Sequence, residues 1–410
     1  IYDMEDALAT IRMFETHEYN EKFKLYDGIE VRFTDVGHLL GSASIEIWVT
    51  EEAVTKKIVF SGDIGNINQP LIRNPQYIKE ADYVVMESTY GDRNHETPPD
   101  YVSELTPIIQ ETLDRGGNLV IPSFAVGRTQ VLLFFIRKIK EKRLIKGHDN
   151  FKVFIDSPMA IEATNIFEKN IDGYFDDESM ALVRAGINPI SFPGLRTAIT
   201  ADESKAINYN DEPKIIISAS GMCDAGRIRH HLKHNLWRED STILFVGHQS
   251  EGSLGKRILD GESEIKLFGE TINVKANIRR LHGVSGHADK NGLIKWLESY
   301  EKKPERVFVV HGDEKVCDMF TKHIKDELGY KAYAPYSGTI FNLASNEIVI
   351  EGKPVPVEKP MDKKAATVYE RLVDAGKRLV GVIQRNKGGT NKDLAKFTSQ
   401  INSLCDKWDR

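Results

Sequence analysis

Three histidines and two acidic residues in this 410-residue chain could do chemistry, and each sits beside glycine or serine. His38 lies in Asp35-Val36-Gly37-His38-Leu39-Leu40-Gly41-Ser42-Ala43 and Asp63 in Phe60-Ser61-Gly62-Asp63-Ile64-Gly65. Glu87 lies in Met86-Glu87-Ser88-Thr89-Tyr90-Gly91, His287 in Gly283-Val284-Ser285-Gly286-His287-Ala288-Asp289, and His311 in Val309-Val310-His311-Gly312-Asp313. Imidazole nitrogen and carboxylate oxygen are donors that zinc accepts. The same groups can move protons near neutral pH. One histidine at a strand end is most often a hydrogen-bonded structural residue. Five such residues weaken that reading, and together they make a candidate metal site.

Short β-branched runs must position these groups. Val31 to Asp35, Ile45 to Thr50, Lys57 to Ser61 and Asp82 to Met86 read as strands separated by Gly-rich turns. A helix over Tyr101 to Leu113 follows, then a strand at Asn118 to Pro122 and a long helix from Gly127 to Lys146. Strands at Lys152 to Ile155, Lys214 to Ser218 and Thr242 to Val246 continue the rhythm. Later come a helix at Asp289 to Tyr300, a strand at Arg306 to Val310, a helix at Asp313 to Leu328, and short strands near Ala332 and Ile348. Alternation of this kind predicts an α/β fold with parallel sheet and helices on its faces, and such folds hold ligands at the carboxyl ends of strands. Gly352 to Pro360 reads as a linker. Two amphipathic helices follow, one marked by Val368, Leu372, Ala375, Leu379, Val382 and Ile383, the other by Leu394, Phe397, Ile401 and Leu404.

Three turns rich in Gly and Ser lead from strands into helices: Pro122 to Arg128, Ser218 to Arg227 and Gly252 to Arg257. That geometry can hold phosphate at a helix N-terminus, though such loops are more often structural. Ser250 stands where a P-loop needs its first Gly. Basic clusters at Arg227 to His234, Lys256-Arg257 and Arg279-Arg280 could line a single-strand groove. His230 and His234 could bind metal at i, i+4, but a solvated helix side is the better reading, as is a wet helix face for Arg137 to Lys146.

The ordered set resembles the metallo-β-lactamase-fold nucleases with an inserted β-CASP domain, from about Asp3 to about Glu351. The resemblance implies an αββα sandwich with an α/β cap. Its divisions would be 1–92, the first part of the metallo-β-lactamase domain; 93–280, the β-CASP cap; 281–351, the second part, with an RNA-metabolising motif; and 352–410, linker and helical tail. It also implies zinc-dependent hydrolysis of RNA, with two ions in the complete protein. His38, Asp63 and His311 would be metal ligands and Asp63 would bridge; Asp63, Glu87 and His287 would be catalytic. Ser285, Gly286, Arg128, Gly221, Arg227 and Lys256 are candidates for contact with RNA phosphate. A histidine at position 311 favours RNA over DNA in this family, and a cap between Glu87 and His287 disfavours a small-molecule substrate. Single-stranded RNA is the expected partner and a homodimer the implied oligomer.

One part of the pattern departs. None of the 12 histidines falls in the family's first metal box, His-x-His-x-Asp-His, which supplies further ligands to both ions. The expectation is a chain whose N-terminal part is missing. The alternative to an enzyme is an inactive RNA-binding or scaffold subunit. The remaining bulk features bound the setting. Net charge of −6 leaves nucleic acid as a substrate only through a local basic groove. Three cysteines (Cys223, Cys317 and Cys405) without a CxxC pair suggest a reducing, cytoplasmic location. The acidic start (Ile1-Tyr2-Asp3-Met4-Glu5-Asp6) is unlike a signal peptide, and no apolar run reaches membrane-spanning length.

Overall fold

The computed structural model describes residues 2–96, 100–247, 249–281, 285–355, 368–388 and 391–408. Two compact units emerge, Ile1–Gly352 and Lys353–Arg410. The first carries the strands β1 (Lys22–Tyr26), β2 (Ile29–Asp35), β3 (Ala43–Glu51), β4 (Val54–Phe60), β5 (Tyr83–Met86) and β6 (Leu119–Pro122). Next come β7 (Lys152–Ile155), β8 (Leu195–Thr197), β9 (Lys214–Ser218), β10 (Thr242–Phe245), β11 (Glu264–Leu267) and β12 (Glu270–Asn273). The last are β13 (Asn277–Arg280), β14 (Arg306–Val309), β15 (Ala332–Tyr333), β16 (Ile340–Asn342) and β17 (Glu347–Ile350).

A seven-stranded mixed sheet runs β1-β2-β3-β4-β5-β14-β15. Its first four strands are antiparallel and the rest parallel. Period-two alternation divides its two faces. Val59, Val84, Met86, Val307 and Val309 pack on Leu293, Trp296 and Leu297 of helix Lys290–Leu297, and on Phe320 and Ile324 of helix Glu314–Asp326. On the opposite face Phe33, Ile45 and Phe60 stand in register, as do Ile47 and Ile58. Phe341 of β16 covers Tyr83 and Phe308 at one end of that face, with ring centroids 5.6 and 5.0 Å away. Elsewhere it stays partly open among the described residues, with Ile45 37% and Phe60 38% exposed.

The second sheet, β13-β10-β6-β9-β7-β8, is wholly parallel. It is apolar on both sides, as a parallel sheet between helices must be. Leu119, Ile121, Ile215 and Ile217 face Leu132, Leu133 and Ile136 of helix Arg128–Glu141. Val120, Ile216, Ile243 and Phe245 face Ile228 and Leu232 of helix Ile228–Asn235. Leu71 and Ile72, in the segment after Asp63, join the first of these cores and tie the two sheets together.

Several expectations need correction. The β3–β4 turn is built by Glu52 and Ala53 at φ 47° and 66°, not by glycine. The long helix stops at Glu141 rather than Lys146, and Arg143 adopts φ 48° just beyond it. The run Arg137 to Lys146 is wet only in part, at Glu141, Lys142, Arg143 and Lys146. Arg137 is buried, donating to the Pro189 carbonyl at 3.1 Å and Glu141 at 2.7 Å, and Lys140 Nζ lies 3.8 Å from the Phe151 ring centre. Helix Met4–Ile11 and hairpin β11–β12 had no reading in the sequence.

The unit Lys353–Arg410 contributes helices Val368–Arg385 and Asn391–Trp408. Leu372, Val380, Ile383, Leu404 and Trp408 are exposed there. Most of the linker, at 356–360, lies outside the described residues, as do Gly283 and Val284 of the His287 motif.

Candidate metal centre

Four loops at the carboxyl ends of strands, and the segment ahead of helix Lys290–Leu297, bring the five residues together. The loop after β2 turns at Gly37, whose amide donates to Asp35 Oδ1 at 2.8 Å. Gly37 sits at φ +64°, and an added Cβ would lie 2.6 Å from the Pro75 nitrogen, so only glycine fits. Ser42 Oγ then accepts from the amides of His38 and Leu39, both at 3.1 Å, which fixes the imidazole's base. After β4, Gly62 at φ +61° turns the chain so that Asp63 projects. After β5, Glu87 is buried and accepts from the Ile64 amide at 2.5 Å. His287 is held by an isolated bridge to Gly65 and by the Ala288 amide donating to the Ile64 carbonyl at 2.7 Å. His311 follows β14 at φ 52°, a strained conformation for a non-glycine residue and one that clusters at functional sites.

Asp63 lies between two imidazoles. His311 Nε2 is 3.3 Å from its Oδ1 and His38 Nε2 is 3.9 Å from its Oδ2. The His38 and His287 ring centres are 4.4 Å apart, and His287 Nδ1 meets Glu87 Oε1 and Oε2 at 3.2 and 3.3 Å. The donor atoms of His38, Asp63 and His287 lie within 4.8 Å of one another; His311 stands outside that group, beside Asp63. His287 therefore sits among the metal-ligand candidates as well as beside Glu87.

Electrostatics separate the roles. Burial, and then the neighbouring His287, push the His38 pKa down, against the pull of Gly286, Asp63 and Glu87, which favours the neutral ring a metal needs. Burial also acts to lower His287, but the Glu87 hydrogen bond and the charges of Glu87 and Asp63 win and raise it. Glu87 moves the opposite way: burial would raise it, and the bond and charge of His287 hold it below the ordinary carboxylate range.

The phosphate-contact candidates divide. Arg128 and Gly286 line one cavity with His38, Gln69 and Gly127, and Ser285 Oγ accepts from the His287 amide at 3.3 Å. The Arg128 Nε is buried without a partner among the described residues, and burial pushes the guanidinium down to about 10. Gly221 packs against the Phe124 ring. Arg227 is committed within the chain, to Asp156 at 2.7 Å and to the carbonyls of Ala198 and Ile199 at 2.9 and 2.7 Å. Lys256 pairs with Asp260 at 2.5 Å. In the basic helix the buried histidine is His231, bound to Asp156 at 2.5 Å, while His230 stacks on Phe268 at 4.4 Å.

Two residues were missed in the sequence. Gln69 Nε2 donates to the carbonyls of Gly37, Asn66 and Gly286 at 3.1, 3.3 and 3.0 Å, tying three site loops together. His95 Nε2 lies 3.0 Å from the His287 carbonyl. The run Asn66-Ile67-Asn68-Gln69 after Asp63 was the available signal for the first; His95 gave none.

The donor set fits a divalent metal. It is all nitrogen and oxygen, and His38 Nδ1 is buried without a hydrogen-bond partner among the described residues.

Comparison with known proteins identifies the family. The Beta-Casp domain family matches residues 129–258, and the Zn-dependent metallo-hydrolase RNA specificity domain matches residues 271–335. A Thermus thermophilus protein named as a ribonuclease is 34% identical over 314 residues, covering 76% of this chain and 68% of that protein. An RNase J-like protein of Methanocaldococcus jannaschii is 31% identical over 342 residues, 83% of this chain and 77% of that one. A transcription termination factor of Methanosarcina mazei is 30% identical over 325 residues, and the match spans 50% of its length. The chain thus belongs to the β-CASP branch of the metallo-β-lactamase-fold ribonucleases.

Proposed function

We propose that this chain hydrolyses phosphodiester bonds of single-stranded RNA, with His38, Asp63 and His311 as metal ligands. The observation that carries the reading is Asp63, whose two oxygens face His38 and His311 separately. A carboxylate so placed would hold metal together with both imidazoles. Bound zinc would supply Lewis acidity and lower the pKa of a coordinated water towards neutrality.

The chain's own groups do the rest. Glu87 accepts from His287 Nδ1–H and so leaves the Nε2–H to protonate the leaving oxygen. The raised His287 pKa keeps that proton in place near neutral pH. Arg128, at the head of helix Arg128–Glu141, would receive a backbone phosphate in the cavity that Gly286 also lines, with Ser285 next to Gly286 in the chain. A cation buried without a counter-ion is costly, and a phosphate removes that cost. Gly221, Arg227 and Lys256 would act as positioning residues of the cap rather than as direct contacts, since Arg227 and Lys256 already have partners. The division at 92/93 and 280/281 into a split catalytic domain and an inserted cap belongs to the same proposal, as does a homodimer.

The test is cleavage of a single-stranded RNA beside matched DNA, with zinc and with chelator. RNA cut only with metal supports the reading; equal cutting of DNA, or cutting that survives chelation, contradicts it.

A further inference from the structure

The turn after β6 carries an exposed aromatic ring where a buried strand end would ordinarily meet a polar loop. Phe124 is 49% exposed although Ser123 before it and Thr129 after it are buried. Its exposure is not slack in the backbone. The Ser123 amide donates to the Ser218 carbonyl at 3.0 Å, Thr129 Oγ1 donates to the Phe124 carbonyl at 2.7 Å, and Gln130 Nε2 donates to the Ala125 carbonyl at 3.1 Å. Gly221 backs the ring, since a Cβ there would come within 3.1 Å of Phe124 Cδ2 and Cε2. The turn is also seated on the metal loop: Gly127, at φ +78°, lies so close to Leu39 that an added Cβ would be 2.4 Å from its Cδ2, and Leu39 follows His38.

Two further exposed apolar side chains continue along the same carboxyl edge. Met159, after β7, is 69% exposed, and Ile199, after β8, is 63% exposed. The sheet order β6-β9-β7-β8 sets them in a row leading away from Phe124. The Arg128 side chain, four residues beyond Phe124, makes no hydrogen bond or ion pair among the described residues and shares its cavity with His38. An apolar ring beside an unpaired cation complements a base beside its phosphate. Aromatic side chains in a cationic groove are how single strands are held without sequence readout. A duplex offers no free base face to such a ring.

We propose that Phe124 is the stacking platform for one unpaired nucleobase of the RNA, adjoining the nucleotide whose phosphate Arg128 receives, and that Met159 and Ile199 extend the contact along the strand. This deepens the ribonuclease reading and rests on it. Phe124 thereby makes the enzyme selective for single strands at the cut.

The test is equilibrium binding of a labelled short oligouridylate to the full chain carrying Asp63→Ala, which cannot cut, with and without a Phe124 substitution. Phe124→Ala is expected to weaken binding about tenfold, from roughly 1–3 kcal/mol per stacked base. Phe124→Trp, which keeps a ring, is expected to bind at least as well as phenylalanine. Phe124→Leu keeps apolar bulk without the ring; it should melt like the parent and bind as weakly as alanine, which separates stacking from loss of fold. A single abasic nucleotide moved along the oligomer should cost the parent that same factor at one position and cost Phe124→Ala nothing more there. In the cutting enzyme the loss should fall on KM rather than kcat. The proposal is overturned if leucine binds like phenylalanine, or if the abasic and alanine losses multiply at every position. Failure of the parent to bind any RNA would instead sink the ribonuclease reading.

Discussion

Glu87 and His287 form the pair on which proton transfer would turn in the proposed reaction, and their coupling has a sign that can be checked. Burial alone would lower His287; the bond and charge of Glu87, helped by Asp63, overcome it. In Glu87→Gln the bond partner stays but the charge goes, so the His287 pKa falls. The alkaline limb of kcat/KM, where His287 loses its proton, should move to lower pH. An unmoved limb would separate the pair from the chemistry. His287→Ala should cost about 10²- to 10⁴-fold in kcat with RNA binding retained. At this scale the sequence was informative for the five residues that the fold brings together, because a strand end beside glycine or serine is a local signal. It was poor for residues defined by long-range partners. Arg227 looks like a phosphate ligand in Ala225-Gly226-Arg227, yet its guanidinium is taken by Asp156, 71 residues away.

Elements are tied to one another by buried polar groups that periodicity does not reveal. Asp156, at the end of β7, accepts from Ser204 at 2.5 Å and Arg227 at 2.7 Å, and meets His231 Nε2 at 2.5 Å, linking three segments of the cap. Burial would raise its pKa, but these bonds hold it below the ordinary carboxylate value. A depressed folded pKa means stability that is present above the unfolded pKa and lost as pH falls through the folded one. Asp156→Asn should therefore lower the melting temperature at neutral pH and flatten its decline at acidic pH. Breaking such a pair by removing one partner costs about 3–5 kcal/mol. Thermal melts over a pH series check both parts, and a parallel decline in parent and variant would contradict the assignment. Gln69 plays the comparable part among the site loops. Gln69→Leu should weaken metal binding about 10- to 100-fold while leaving the packed cores intact, measured by zinc titration and melting.

The strands and helices themselves were legible where periodicity is strong. Lys152–Ile155 and Lys214–Ser218 begin and end where their β-branched runs do. The early helix end at Glu141 was not, because Arg137 and Lys140 look like surface cations and are held by the Pro189 and Phe151 carbonyls instead. Long side chains that bury their stems and hydrogen-bond their tips defeat a polarity pattern.

For the molecule as a whole, the seven-stranded sheet presents one packed face and one that Phe33, Ile45, Ile47, Ile58 and Phe60 leave partly open. Contiguous exposed apolar surface of this kind marks an interaction site or an association liability. A chain of these 410 residues should bind a hydrophobic reporter dye and self-associate with rising concentration. Ile45→Lys with Phe60→Lys should suppress both without unfolding, since Val59, Val84 and Met86 on the other face are untouched. Sedimentation velocity reads the outcome; a monomeric parent that ignores the dye would show the face to be covered. The sheet's strands could be read singly from alternation, but which face meets a partner layer depends on pairing across segments such as β5 with β14, which local pattern does not encode.

The measurement that bears most directly on the central claim joins metal to chemistry: zinc content of the purified chain and of Asp63→Ala, with cleavage of one single-stranded RNA by both. The account predicts zinc that co-purifies with the parent and is largely lost in the variant, with cleavage lost alongside it. Equal zinc in the two proteins, or cleavage by Asp63→Ala at the parent's rate, would contradict a metal centre bridged at Asp63.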